Sequence, residues 1–228
     1  MHIETLDRGA FSSALVHLSN GEKFISESGA MFRCSSNIEI DVTTRGGGGG
    51  GGLLGGIGRM LSGENFFFST YTCQSGKGEV GLAPTLQGEV RVLECDGSRK
   101  LICTGGSYLG SSTGLQIDTK FQGLKGLFSG ESLSFVEVSG TGQLLVNAFG
   151  RITEIDVKNA LTIDTGHVVA FENSLQYSAG KAASGWVQSF LSGEGIVLKF
   201  TGTGKVYVQS HNPKEFGSTL GSRLPARS

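Results

Sequence analysis

Three times along this 228-residue chain, a glycine is followed nine and eleven residues later by residues with apolar side chains. Gly29 precedes Ile38 and Ile40, Gly106 precedes Leu115 and Ile117, and Gly166 precedes Leu175 and Tyr177. Each of these apolar pairs brackets a polar residue (Glu39, Gln116, Gln176), the period-two pattern of a strand with one buried face. A second motif follows each time: Ser62-Gly63-Glu64, Ser129-Gly130-Glu131 and Ser192-Gly193-Glu194. After it come an apolar run, a Gly-x-Gly and a second apolar run, as in Leu133-Ser134-Phe135, Gly140-Thr141-Gly142 and Leu144-Leu145-Val146. Self-similarity of this kind constrains a fold more than composition does. One small unit must be stable only when packed against copies of itself.

The repeat divides the chain into units at about 10–84, 88–150 and 152–212. Residues 1–9 form an N-terminal strand or extension, and the polar tail 213–228 is expected to fray. Turn signals every 8–12 residues predict an all-β protein, sandwich-like or barrel-like. Strand, glycines, strand reads as a β-hairpin, with glycine supplying the positive φ of the turn. The first unit carries an insert at 45–58 that begins Arg45-Gly46 and holds seven consecutive glycines, which read as a loop. Helical signal is confined to Lys181–Leu191, enough for a turn or two.

Glycine is 38 of 228 residues, about 17% against the usual ~7%, but three prolines exclude a collagen-like fibre. A formal net charge of −1 and a pI near 6.4 give no electrostatic warrant for nucleic acid. No run of 18 apolar residues predicts a spanning helix, and Met1–Thr5 does not open a signal peptide, so the expected setting is cytoplasmic. Cys34, Cys73, Cys95 and Cys103 match no zinc spacing and are expected to be buried reduced thiols.

At strand periodicity Glu64, Glu131 and Glu194 share a face with core residues. The favoured reading is that each accepts backbone N–H bonds and pins its hairpin. The alternative is three carboxylates converging on a pseudo-threefold axis as a cation site. Asp164-Thr165-Gly166 has the letters of an aspartic protease motif, but it aligns with ordinary repeat turns at Gly29 and Gly106, and a bulky His167 follows. The glycine run lacks the Gly-Lys-Ser/Thr ending of a phosphate-binding loop. Leu53, Leu54, Ile57 and Met60 instead tip it with apolar side chains suited to docking on a partner. His2, His17, His167 and His211 form no metal-ligand spacing, and His167 is expected in the core or a turn.

Four segments carry a family resemblance: Gly63-Glu64-Asn65-Phe66-Phe67, Gly78 through Pro84, Asp164 through Phe171, and Gly193-Glu194-Gly195-Ile196. Together they resemble the altered-inheritance-of-mitochondria family, tied in fungi to mitochondrial biogenesis, over about residues 3–212. The resemblance implies a fold like the tryptophan RNA-binding attenuator protein, with three double-stranded β-helix-like units in one chain. It implies a role in membrane organisation rather than catalysis, and a bacterial-type member.

The expectation is therefore a non-enzymatic scaffold or binding module with no cofactor and no metal. It is expected to form a homo-oligomer and to bind no nucleic acid, and the glycine-rich loop is read first as a linker and next as an arm that docks on a protein partner. Peripheral membrane contact is the less favoured use of that loop. The rivals are a small-ligand-binding or catalytic protein with a pocket between repeats, and RNA binding by analogy of fold. If Glu131 pins its hairpin, Glu131→Ala will cost about 1–3 kcal/mol in thermal denaturation, the cost of orphaned donors. An unchanged melting temperature would discard that role.

Overall fold

Backbone that alternates buried and exposed residues must hydrogen-bond laterally, and most of the described residues of this chain do so. The computed structural model describes residues 1–6, 11–44, 67–120, 134–181 and 196–225. The glycine-rich insert, the three Ser-Gly-Glu motifs and residues 182–191 of the expected helical stretch lie outside the described residues. Among the described residues the protein is all-β, with antiparallel strands and one short α-helix.

In the first segment, β1 (His2–Leu6) covers the edge of β2 (Ser13–Ser19). Then come β3 (Lys23–Glu27), β4 (Met31–Cys34), β5 (Ile38–Thr44), β6 (Phe67–Cys73) and β7 (Lys77–Leu82). Strands β2 and β4 pair with β7, whereas β3 and β5 pair with β6. The second segment holds β8 (Val90–Asp96), β9 (Leu101–Thr104), β10 (Tyr108–Ser112), β11 (Leu115–Lys120) and β12 (Phe135–Asn147). There β9 and β11 pair with the first half of β12, β10 with its second half, and β8 with residues 141–147. The third segment holds β13 (Ile152–Val157), β14 (Ala160–Asp164), β15 (Val168–Glu172), β16 (Gln176–Lys181), β17 (Ile196–Thr201) and β18 (Gly204–Gln209). Strands β13 and β15 pair with β18, and β14 and β16 with β17.

The apolar runs around each Gly-x-Gly are thus not hairpins. They run onward, and in the second segment they form one 13-residue strand. The glycines do take positive φ: Gly76 at 60°, Gly140 at 103°, Gly142 at 151° and Gly202 at 106°. That freedom passes the chain from one set of partners to another rather than reversing it. A hairpin is excluded because the flanking runs are fully committed to other strands.

One side chain secures each crossing. Ser35 Oγ accepts from the Glu79 N–H at 2.9 Å, Ser112 Oγ from the Gln143 N–H at 2.9 Å, and Glu172 Oε2 from the Lys205 N–H at 3.0 Å. These acceptors each stand six residues beyond a repeat glycine, and the donors directly follow Gly78, Gly142 and Gly204. A Cβ on Gly142 would lie 2.1 Å from Ser112 Oγ, and one on Gly204 2.5 Å from Ser174 Oγ. Arg99 Nη1 also donates to both Glu172 oxygens, at 2.8 and 2.7 Å.

Consecutive segments are joined by strand pairing. β3 pairs with β10 and β9 with β15, so β5-β6-β3-β10-β12-β8 and β11-β12-β9-β15-β18-β13 are continuous antiparallel ribbons. Their side chains fill three apolar clusters. Leu109 of the second segment lies in the cluster of Phe24, Tyr71 and Leu82 of the first. Val169 of the third lies in that of Cys103, Val136 and Leu144 of the second. The last cluster is built on Phe171, Leu198 and Phe200.

Two expectations need correction. The tail does not fray at Pro213, because Asn212 Oδ1 accepts from the Lys214 and Glu215 N–H groups and starts helix α1 (Pro213–Gly221). Phe216 of α1 packs on Phe149 with ring centroids 5.1 Å apart. Of the four thiols, Cys73, Cys95 and Cys103 are buried and Cys34 is exposed on β4. Burial pushes the Cys103 thiol up to about 12.

Ser112 is buried, and truncating it leaves the Gln143 N–H beside a small void. Ser112→Ala is expected to cost about 1–3 kcal/mol in chemical denaturation with no change in circular dichroism. A loss within experimental error would show that the crossing holds without this bond.

Candidate functional site

The short turns after β3, β9 and β14 carry the three repeat glycines, and all three turns line one cleft of about 1090 Å³. That is ample for a small molecule. Two residues before each glycine stands an oxygen-bearing side chain: Glu27, Thr104 and Asp164, and all three line the cleft. Further wall comes from the segment ends Ala83–Leu86, Asn147 and Gln209, and from α1.

The glycines answer different demands. Gly29 has φ +90°. At Gly166 an added Cβ would lie 2.3 Å from Asn212, so close packing excludes a side chain. At Gly106 neither condition holds, since its Cβ would meet open space.

Much of the cleft's polarity is spent on its own walls. Thr104 Oγ1 donates to Val168 O at 2.9 Å, with Ser107 Oγ 2.8 Å away. Asp164 Oδ1 accepts from the Gly166 N–H at 2.8 Å and from Asn212 Nδ2 at 3.2 Å. Gln209 Nε2 donates to Gly166 O at 2.7 Å, and Asn147 Nδ2 to Gly106 O at 3.2 Å. The first segment has Ala83 in that place and no amide to offer. Glu27 differs from the others. Its carboxylate makes no hydrogen bond or ion pair with the described residues, and burial raises it above the usual carboxylate range.

Asp164 therefore caps a single 3-10 turn (Thr165–His167), as its alignment with ordinary repeat turns implied. His167 is half-buried in that turn, with Nδ1 2.8 Å from Gln209 O. Among the described residues no three His, Cys, Asp or Glu side chains are placed to hold a metal. Glu64, Glu131, Glu194 and the loop residues Leu53, Leu54, Ile57 and Met60 lie outside the described residues. Sequence reasoning missed Glu27, Thr104 and Asp164 as a set, and likewise Ser35, Ser112 and Glu172. The signal was there in their fixed offsets from the repeat glycines, but neither set keeps one residue type.

The family model for mitochondrial biogenesis AIM24 matches residues 3–211. The chain belongs to that family. The AIM24 resemblance read from the sequence is thereby established over nearly the whole chain. An uncharacterised protein of Streptococcus pyogenes serotype M6 is 35% identical over 230 residues, covering 98% of this chain and 92% of the relative. An X-ray crystal structure of a Streptococcus pyogenes protein superposes with a TM-score of 0.81 at 30% identity, covering 98% of this AIM24 chain and 99% of that one.

A carboxylate whose proton affinity is raised by folding favours the folded state at low pH and costs stability as pH rises through its folded pKa. Glu27→Gln removes that cost. The variant is expected to melt higher than the wild-type protein at pH 8 and equally at pH 4. Equal melting at both would show that the Glu27 carboxylate is well solvated.

Proposed function

We propose that this AIM24 chain is a non-enzymatic scaffold whose three segments are pseudo-threefold repeats and which assembles with copies of itself. The observation that carries this reading is where its large apolar side chains meet water. Phe11, Met31, Phe32, Ile40 and Val42 are all exposed and all belong to the first segment. Of the large apolar side chains of the body that follow, none is so exposed among the described residues until α1. Apolar surface gathered on one part of a molecule is what an interface requires. The internal engagement of Thr104, Asp164, Asn147 and Gln209 supports a structural rather than a catalytic use of the cleft.

The proposed setting is cytoplasmic. Among the described residues no helix is long and apolar enough to cross a membrane. The membrane link that the family resemblance implies would then act through peripheral contact or through a partner of the glycine-rich loop.

A second reading is favoured by the cleft itself, whose size suits a small polar or cationic ligand and whose Glu27 has no partner among the described residues. Native mass spectrometry of the protein purified gently from its own host separates the two. A defined homo-oligomer carrying no small molecule is the expected result. A retained ligand of defined mass would replace the scaffold reading with the ligand-binding one, and a bare monomer at all concentrations would remove self-association.

A further inference from the structure

The strand pairings leave one interface half-built on each side of the molecule. Between the first and second segments, β3 pairs with β10 in the register Ser26↔Gly110, Ile25↔Ser111 and Phe24↔Ser112. Between the second and third, β9 pairs with β15 in the register Cys103↔Ala170, Ile102↔Phe171 and Leu101↔Glu172. The two ladders are the same ladder. Each joins the residue three before one repeat glycine to the residue four after the next.

Applied once more, this rule calls for β14 against β4. Among the described residues neither strand makes that pairing. β4 ends the sheet β1-β2-β7-β4, and β14 ends the sheet β14-β17-β16. The two ribbons described above have six strands each, and these two pieces, with the additional edge strand β1 set aside, are the halves of a third.

The burial of the strands shows what is missing. The strands that correspond to β4, which are β10 and β15, are buried at every residue, whereas all four residues of β4 are exposed. All three strands carry a bulge at the same place, at Phe32, Leu109 and Val169. Leu109 is 1% exposed in the first segment's core and Val169 0% in the second's. Phe32 is 52% exposed. In the third segment, the cluster that should receive such a side chain leaves Leu161 and Ile163 of β14 only partly buried.

We infer that β14 of one copy pairs antiparallel with β4 of a second copy, in the register Ile163↔Arg33, Thr162↔Cys34 and Leu161↔Ser35, with Phe32 entering the third segment's core. This rests on the reading of the chain as self-associating and names the surface that does it. A second copy is favoured over closure within one chain because, among the described residues of one chain, β4 and β14 end separate sheets and all four residues of β4 stay exposed. Among the described residues both edges are unpaired, and unpaired edge backbone of this kind templates strand addition. The contact is head-to-tail, so repetition yields a ring or a filament according to the rotation per step.

The register supplies its own test, because Cys34 is exposed and the other three cysteines are buried. Thr162→Cys places a thiol opposite Cys34, within the Cα separation of antiparallel neighbours that a disulfide spans. On mild oxidation, non-reducing electrophoresis is expected to show covalent dimers and higher species, abolished by adding Cys34→Ser. Phe32→Lys, at an exposed position where folding is not at stake, is expected to reduce the light-scattering mass to that of one chain. A disulfide that forms without any increase in mass overturns the second copy and assigns the ladder to closure within one chain. If the wild-type protein is oligomeric but forms no such disulfide, and Phe32→Lys stays oligomeric, the surface is wrong and self-association stands. A wild-type protein that is monomeric throughout, with no cross-link between chains, refutes both.

Discussion

Each segment of this protein sends one stretch of backbone from one set of strand partners to another, and the structure depends on making that crossing without stranding a half-buried N–H. The residues after Gly78, Gly142 and Gly204 lie where the ladder changes hands. Ser35, Ser112 and Glu172 reach across from a neighbouring strand and accept their N–H groups. An unpaired buried donor costs as much as a core cavity, and there are three crossings. Glycine and acceptor are coupled at Gly142 and Gly204. The glycine gives up its side chain so that the acceptor's strand can approach, and the acceptor replaces the hydrogen bond that the changing ladder no longer provides.

The third crossing differs in a way that suits its place. Ser35 and Ser112 are small hydroxyls, whereas Glu172 is a charged acceptor that needs a cation to be tolerated at its low exposure. Arg99, which precedes β9 of the second segment, supplies it through both carboxylate oxygens. The same charge pair therefore secures a crossing within the third segment and ties that segment to the second. The ladder between β9 and β15 and this ion pair are adjacent, since Glu172 is itself a rung opposite Leu101. Losing one would leave the other exposed to water.

Much of this was legible in the sequence. The alternation at Ile38–Ile40 and Leu115–Ile117 predicted β5 and β11 correctly, because period two has few other physical meanings. The repeat glycines were legible as a set because each recurs with fixed apolar partners downstream. The glycine pairs were misread as hairpin turns. Positive φ is necessary for a tight reversal but equally serves a kink, and the difference lies in which distant strands claim the flanking residues. No local pattern carries that information. The cleft was hidden for a related reason: Glu27, Thr104 and Asp164 share a position but not a chemistry, so only their geometry makes them a set. α1 was overlooked because a polar tail looks structureless until Asn212 is seen capping it.

The outer strands show why β4 stands apart. A free sheet edge invites another chain, and charged side chains are a common defence. β5 carries Glu39 and Asp41, β8 Glu94 and Asp96, β11 Asp118, and β13 Glu154 and Asp156. Like-charged edges repel one another, so these four ends discourage lateral growth. β4 reads Met-Phe-Arg-Cys, with no acidic residue and two large apolar side chains in water. Its counterpart β14 carries a single acid, Asp164, whose charge is already bound to the turn beyond it. The acidic ends thus belong to the two six-stranded ribbons, whereas β4 and β14, like β16 at the far end of its piece, offer no free acid. A sheet under selection only against aggregation would protect all of them. The lack of free acid on β4 and β14 therefore agrees with the missing rungs of the ladder, and it is the rungs that single these two edges out.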